Sequence, residues 1–464
     1  MTDLNFASIE TLAGLIRRRE LSPLELMEHT LRRIDEVNPK LNAIVTLDAE
    51  RARAAAAAAT ERLAKGEDLG PLGGIPLGVK DLENAEGFPT TQGSPLYKDS
   101  PPVERDDVHI ERLKAAGAIV IGKTNTPEFG LIPFTDNEVF GPSRNPWNLE
   151  RTPGGSSGGS AAAIAGGMLA LATGSDGGGS VRIPACYTGL YGLKPSFGRI
   201  PIAPRAFDAW TDTSVYGALS RTVRDAALLL DVMAGPHDAD RNSLPAVDGS
   251  YRERADAPLP RMRIAFNRTL GVTRLQKDVE REVEAAVNVF RELGHEVEET
   301  TDSIPEMGGW WAVISGFNLL TQHWEEFGTR LDEMGRMGRG SMKRGLRADA
   351  EAFGEFLQVR QELTDWTSRL FQQYDLLLTP TLPTEAFNAE GPIPTELDGE
   401  PFVAVAFTYP FNFTGHPAAS VRAGFTDNGL PCGLQIVAPR FREDVVLQAS
   451  AAYEEARPWR DRWP

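Results

Sequence analysis

Residues 154–185 read GGSSGGSAAAIAGGMLALATGSDGGGSVRIPA and set two glycine-rich serine sites on either side of one short helix and one short strand. Ala161 to Ala165 favours helix, and Leu169 to Thr173 is an apolar run of the length of a buried strand. Gly177-Gly178-Gly179 then forces a tight turn, so Ser180 stands where a strand gives way to a helix start. Glycines let the backbone approach a ligand without obstruction by Cβ, and successive N–H groups at a helix start point outward together. Such a turn has the makings of an oxyanion hole.

Outward from this stretch, the chain has 464 residues, a length that suggests about three domains but is also met in single large α/β enzymes. Its hydrophobic content of 41% and charged content of 24% fit a globular protein with a sizeable core. No run approaches the roughly 20 apolar residues of a membrane span, and the first residues lack the basic and apolar stretches of a signal peptide. We expect a cytoplasmic protein without a membrane partner. A net charge of −17 opposes binding to a phosphate backbone, so no nucleic-acid partner is expected. The two cysteines, Cys186 and Cys432, are too few for a disulfide framework or a cysteine zinc site and read as buried apolar residues.

The first 66 residues read as a helical arm. Ser22-Pro23 caps a helix whose apolar positions Leu24, Met27, Leu31 and Ile34 recur at helical spacing until Asn38-Pro39 stops it. An alanine-rich helix comes next, from Asp48 to Lys65. Ile75 to Val79 is then a strand-like run that ends, unusually, in Lys80-Asp81; a lysine there either reaches water or pairs with Asp81. Asp107 to Ala116 reads as a helix and Ala118 to Ile121 as a strand, with Asn125 to Gly130 as the loop at its carboxyl end, where ligands of open α/β sheets gather. Further on, Ile264 to Phe266, Asp278 to Leu293 and His295 to Glu298 read as a βαβ unit with nothing catalytic in it.

Two motif matches are rejected on physical grounds. Gly117 to Thr124 fits the phosphate-loop pattern GxxxxGK[ST], but Ala118-Ile-Val-Ile121 is an apolar β-branched run that belongs in a buried strand. Ser156 and Ser157 each fit the GxSxG nucleophile elbow, which must come directly after a strand, whereas here the preceding Asn145 to Pro153 holds two prolines. The elbow also needs a histidine, and His237, His295, His323 and His416 stand in no telling context. No HExxH pair supports a zinc hydrolase, and no metal or cofactor is expected.

Serine chemistry without a histidine remains, and stretch 154–185 resembles the signature of the amidase signature family at every fixed position, among them Ser156, Ser157, Asp176, Gly178, Ser180, Arg182 and Pro184. Supporting matches are Gly-Val-Lys80-Asp81, Gly-Lys-Thr-Asn125, Tyr191 to Pro195, Tyr374 to Pro380 and Thr414 to Pro417; residues 246–369 match nothing recognisable. The resemblance implies a Lys80–Ser156–Ser180 triad, in which neutral Lys80 takes a proton from Ser156, Ser156 takes one from Ser180, and Ser180 attacks the amide carbonyl to form an acyl-enzyme. Free lysine is only about 0.04% neutral at pH 7, so burial must lower its pKa by roughly three units. The family also implies a cis peptide before Ser156, an oxyanion hole on the N–H groups of Gly177, Gly178, Gly179 and Ser180, support from Asp176 and Arg182, and a substrate contact from the Gly130 carbonyl. Ser157 is either an N-cap for the Ala161 helix or a catalytic contact. Many relatives carry Thr or Ile where this chain has Gly177, which bears on substrate rather than chemistry.

The implied fold is a single α/β/α domain over 1–464 around a large mixed sheet. Within it we distinguish the arm 1–66, a catalytic core 67–245, a variable substrate-facing segment 246–370 and the end of the core at 371–464. Aromatic residues between Trp310 and Phe327 and between Phe407 and Phe413 are expected to pack mostly in the core, with some lining a substrate pocket. The expected substrate is a hydrophobic or aryl small-molecule amide, with carbamates within reach, turned over by a monomer or homodimer. Two other readings are an amidotransferase subunit that draws ammonia from glutamine, and a binding protein that has lost catalysis; retention of Lys80, Ser156 and Ser180 together opposes the second.

Overall fold

Eleven strands form one mixed sheet in this computed structural model, which describes residues 3–204 and 212–464. In chain order they are β1 (Ile44–Leu47), β2 (Pro76–Lys80), β3 (Ile119–Thr124), β4 (Leu171–Asp176), β5 (Tyr191–Lys194), β6 (Val215–Ser220), β7 (Arg263–Asn267), β8 (Glu296–Thr300), β9 (Leu376–Pro380), β10 (Ala418–Phe425) and β11 (Pro431–Val437). Across the sheet the order is β1-β3-β2-β4-β6-β5-β10-β11-β9-β7-β8. The β3-β2-β4 group at one end and the β9-β7-β8 group at the other are parallel, and the strands between and beyond them pair antiparallel. This is the single α/β domain anticipated from the sequence.

Alternation along the strands divides the core between the two faces. Leu77, Val79, Leu171, Leu193 and Ala218 join the large apolar cluster on one face, while Ile121, Ala172 and Leu219 pack on the other against the helix Gly158–Ala165. With a period of two, Gly78 and Lys80 belong with that helix. Its alanines and glycines are all buried, and it needs no polar face because protein surrounds it.

Three features depart from the sequence reading. The arm 1–66 is not wholly helical: Ile44–Leu47 is the edge strand of the sheet, paired antiparallel with β3. The helix begun at Ser22 does not stop at Pro39 but runs to Leu41, ending where Asn42 adopts left-handed geometry. Of segment 246–370, β7, β8 and the helix Lys277–Glu292 between them extend the sheet, and only the part beyond β8 reaches the site. There, helices Gly308–Gln322 and Arg336–Gly345 cross so closely at Gly316 and Gly345 that a Cβ on either would strike the other backbone.

Candidate active site

Lys80 ends β2 with its side chain wholly shielded from solvent. Its backbone N–H donates to Thr173 Oγ1 at 2.9 Å, which locks the strand end onto β4. The ammonium nitrogen lies 2.8 Å from Ser156 Oγ, 2.9 Å from Ser157 Oγ and 3.0 Å from Ser175 Oγ. No carboxylate of a described residue shares this group of contacts. Burial is the main cause that brings the Lys80 pKa down to about 7, against weaker pulls upward from Glu83 and Asp176. A cation held by three hydroxyls and, at 3.5 Å, the Ser175 carbonyl, shielded from solvent and with no carboxylate among these contacts, loses much of its reason to keep its proton.

Ser157 turns its hydroxyl toward Lys80 rather than using it as a cap. It occupies the N-cap position of the Gly158–Ala165 helix, yet its hydroxyl makes no capping bond; it meets Lys80 and donates to the Ser175 carbonyl at 3.2 Å. Ser175 was missed in the sequence, although Thr173 and Ser175 alternate onto the same side of β4, a signal that polar residues in a buried strand face something polar. The peptide bond between Gly155 and Ser156 is cis.

The turn after β4 is oriented by what its carbonyls accept. The Asp176 carbonyl takes Asn412 Nδ2–H at 2.8 Å, that of Gly177 takes Trp311 Nε1–H at 3.4 Å, that of Gly178 takes the Thr408 hydroxyl at 2.8 Å, and that of Gly179 takes the Ile183 N–H at 2.7 Å. A trans peptide points its N–H opposite to its C=O, so each anchor also aims the next N–H. The N–H groups of Gly177, Gly178 and Ser180 make no bond to a described residue. Gly179 is different: its N–H donates to Asp176 Oδ1 at 2.7 Å. Of the four N–H groups expected to form an oxyanion hole, three remain without a bond to a described residue, because the Asp176 carboxylate has already claimed that of Gly179.

Asp176 and Arg182 stand behind this turn, both fully buried and 2.9 Å apart. The Arg182 guanidinium also donates to the Thr408 carbonyl, Gln435 Oε1 and Asn412 Oδ1 at 2.7–2.8 Å. Burial alone would raise the Asp176 pKa, but Arg182 outweighs it and holds the carboxyl well below the ordinary carboxylate range.

Ser156 is buried while Ser180 is half-exposed. Both line a small cavity of about 30 Å³ with Gly130, Gly177, Gly178 and Trp311. Ser157 N–H donates to the Ser180 carbonyl at 3.3 Å, tying the two serine sites together; no hydrogen bond joins the Ser156 and Ser180 hydroxyls. Gly130 has left-handed φ, and a Cβ there would sit 3.2 Å from Ser156 Oγ. A second cavity of about 280 Å³ opens from Ser180 and Gly178 between Ile132, Ile183, Val403, Val405, Trp311 and Tyr409, with Glu306 on its wall. Of the aromatic residues singled out from sequence, Trp311 and Tyr409 thus reach the pocket, whereas Phe407, Phe411 and Phe413 are core.

Glu128 was also missed. It is buried on the loop before Gly130, accepts from Ser94 Oγ at 2.7 Å and from the Gly335 and Gly338 N–H groups at 2.8 and 2.7 Å, and so caps the Arg336–Gly345 helix from outside. Nothing in Asn-Thr-Pro-Glu128 marks a partner 207 residues away. His416 is buried in its turn, 2.8 Å from Thr414 Oγ1, and burial pushes its pKa down to about 3. Cys186 and Cys432 are buried free thiols, as expected. Among the described residues no group of His, Cys, Asp and Glu is placed to hold a metal, and no helix is long and apolar enough to cross a membrane.

Known proteins share this architecture along its whole length. The Amidase family model matches residues 25–447. The chain is 38% identical to an acylamidase of Rhodococcus erythropolis, with all of this chain and 98% of that protein covered. It is 37% identical to a glutamyl-tRNA(Gln) amidotransferase subunit of Roseiflexus castenholzii, again over all of this chain and 98% of the relative. Among solved structures, a bacterial aryl acylamidase of the amidase signature family superposes with a TM-score of 0.93 at 32% identity, covering 98% of this chain and 97% of that one. The chain belongs to the amidase signature family. It is an amide-cleaving hydrolase.

Proposed function

We propose that this protein hydrolyses hydrophobic small-molecule amides, aryl amides foremost and carbamates within reach, through a Lys80–Ser156–Ser180 relay. The observation that carries the reading is a gradient of exposure along one line of hydroxyls. A buried lysine with a pKa near 7 contacts a buried serine, and the accessible serine at the pocket floor comes next. Neutral Lys80 accepts the Ser156 proton as Ser156 accepts that of Ser180, and Ser180 Oγ bonds to the carbonyl carbon. The oxyanion is met by the N–H groups of Gly177, Gly178 and Ser180. The C–N bond then breaks as the proton returns through Ser156 to the leaving nitrogen, and water releases the acyl group by the same relay. The Ser156–Ser180 step closes when substrate binds, since catalytic hydrogen bonds often tighten only in the complex.

The pocket supports an apolar substrate. Glutamine, the substrate of the amidotransferase reading, carries an α-carboxylate beside its α-ammonium, and no described lining residue is a cation that could hold that carboxylate, the one charged side chain there being Glu306. Similarity to the two acylamidases supports the same choice.

Ser180→Ala is expected to lose turnover by several orders of magnitude with its fold intact, and a sulfonyl fluoride to label Ser180 alone. More than about 1% residual activity would overturn the assignment. On a panel of a nitroanilide, an aryl carbamate, glutamine and acetamide, kcat/KM for one of the first two should exceed that for the others at least about tenfold. Equal or better turnover of glutamine would restore the amidotransferase reading.

A further inference from the structure

We propose that the 280 Å³ cavity is a subsite for amides whose far end carries an amine, protonated or as an aniline N–H, with Glu306 as its recognition residue. The inference rests on the amidase reading above and names its substrate class more narrowly. At one end of the cavity lies Ser180; its walls include Ile132, Pro133, Ile183, Val403 and Val405, which offer no hydrogen-bonding side chain. Glu306 stands on the wall beside Tyr409 and is itself exposed, so it marks the mouth.

The carboxylate is available for a ligand. One oxygen accepts the Gly308 N–H at 3.0 Å, at the start of the Gly308–Gln322 helix. Glu306 forms no ion pair with any described residue. Its neighbour Tyr409 is no rival anion: burial first, and the Glu306 charge second, raise the phenol pKa far above neutrality. A substrate entering this cavity therefore meets an acyl-reactive serine, an apolar passage and, among the described lining residues, one negative group. That order suits a carbonyl, a hydrocarbon or aryl spacer and a hydrogen-bond donor.

Because Glu306 is exposed, water screens it, and the preference it confers should be about three- to tenfold rather than absolute. Two substrate series locate it. On the acyl side, 6-aminohexanoyl, hexanoyl and adipoyl 4-nitroanilides are compared; on the leaving side, the acetyl amides of 4-(aminomethyl)aniline, 4-ethylaniline and 4-aminobenzoate. In one series kcat/KM should rank amine above alkyl above carboxylate, and in Glu306→Gln the amine-to-alkyl ratio should fall to about one. Glutamine can still accept the Gly308 N–H, so a change in the ratio reports the charge and not the helix start. If neither series prefers its amine, or the preference survives in Glu306→Gln, the subsite is wrong while Ser180-dependent hydrolysis of the alkyl members leaves the amidase reading standing. If no member of either series is hydrolysed, both fall.

Discussion

Arg182 and Lys80 are two cations buried to the same degree beside the same stretch of sheet, and their surroundings differ in one respect. Arg182 has Asp176 at 2.9 Å and neutral acceptors for its remaining donors. Lys80 has hydroxyls at 2.8–3.0 Å and no paired carboxylate among the described residues. A buried charge with a full set of partners stays charged and fixes whatever it touches, here the turn that carries Ser180. One without a counter-charge surrenders its proton near neutrality and becomes a base. Two other buried lysines fill out the comparison. Lys123 lies 3.6 Å from Asp81, while Lys194, which donates to the Pro195 carbonyl, is likewise brought down to about 7 by burial. A depressed lysine alone is therefore no mark of a catalytic base; what sets Lys80 apart as the proposed one is the serine beside it.

The comparison breaks first at Lys80. Lys80→Met removes the proposed base and keeps the bulk, and kcat should fall by at least about a thousandfold, as for loss of any member of a catalytic unit. Its stability should stay within about 1 kcal/mol of the original, because relief of an unpaired buried cation offsets the partner lost by the hydroxyls. In the unmodified protein, kcat/KM should rise about tenfold per pH unit below 7 and level off above it, since only neutral Lys80 accepts a proton. A profile that is flat between pH 5 and 7 would exclude this lysine as the base.

Asp176→Asn tests the other cation and should cost stability, which Lys80→Met leaves nearly unchanged. It leaves Arg182 charged and unpaired, at a cost of about 3–5 kcal/mol in denaturant unfolding. Activity falls too, because the same carboxylate holds the Gly179 N–H and orients the turn. If Asp176→Asn were as stable as Lys80→Met, the distinction between the two sites would not hold.

The smallest effect is expected at Glu128, which joins the loop of Gly130 to the helical wall. Three donors converge on its carboxylate, so Glu128→Gln sets an amide N–H against one of them and should cost about 1–3 kcal/mol. The effect should show as a raised KM for the nitroanilide, with Ser180 still open to labelling by a small sulfonyl fluoride. Loss of labelling would mean that Glu128 supports the catalytic serines themselves.

What could be read from sequence depends on how local each feature is. The strand, turn and helix around Ser180 are specified by neighbours in the chain: an apolar run, three glycines and a helix-compatible segment. Lys80 betrayed itself because a lysine at the end of an apolar strand is anomalous. By contrast, Ile44–Leu47 is a strand only because β3 lies beside it, and four residues between two helices carry no periodicity of their own. Pro39 misled because proline late in a helix forfeits a hydrogen bond without ending the helix. Gly179 looked like its neighbours until Asp176 was seen to bind it. Glu128, Glu306 and Trp311 take their places from contacts across more than a hundred residues, where no short-range pattern operates.

The close crossing at Gly316 and Gly345 gives the enzyme a history as well as a shape. Lys80 and the Ser180 turn ride on β2 and β4, where a slip of one residue would turn every side chain to the opposite face. Trp311 and Glu306 ride on, or just before, a helix seated on another helix by two glycines, and their reach into the pocket is a matter of side-chain size. Selection can thus exchange one substrate for another by single substitutions on the helical wall while the hydroxyls of the proposed relay stay frozen. A family of enzymes with one chemistry and many diets is the natural product of such a division.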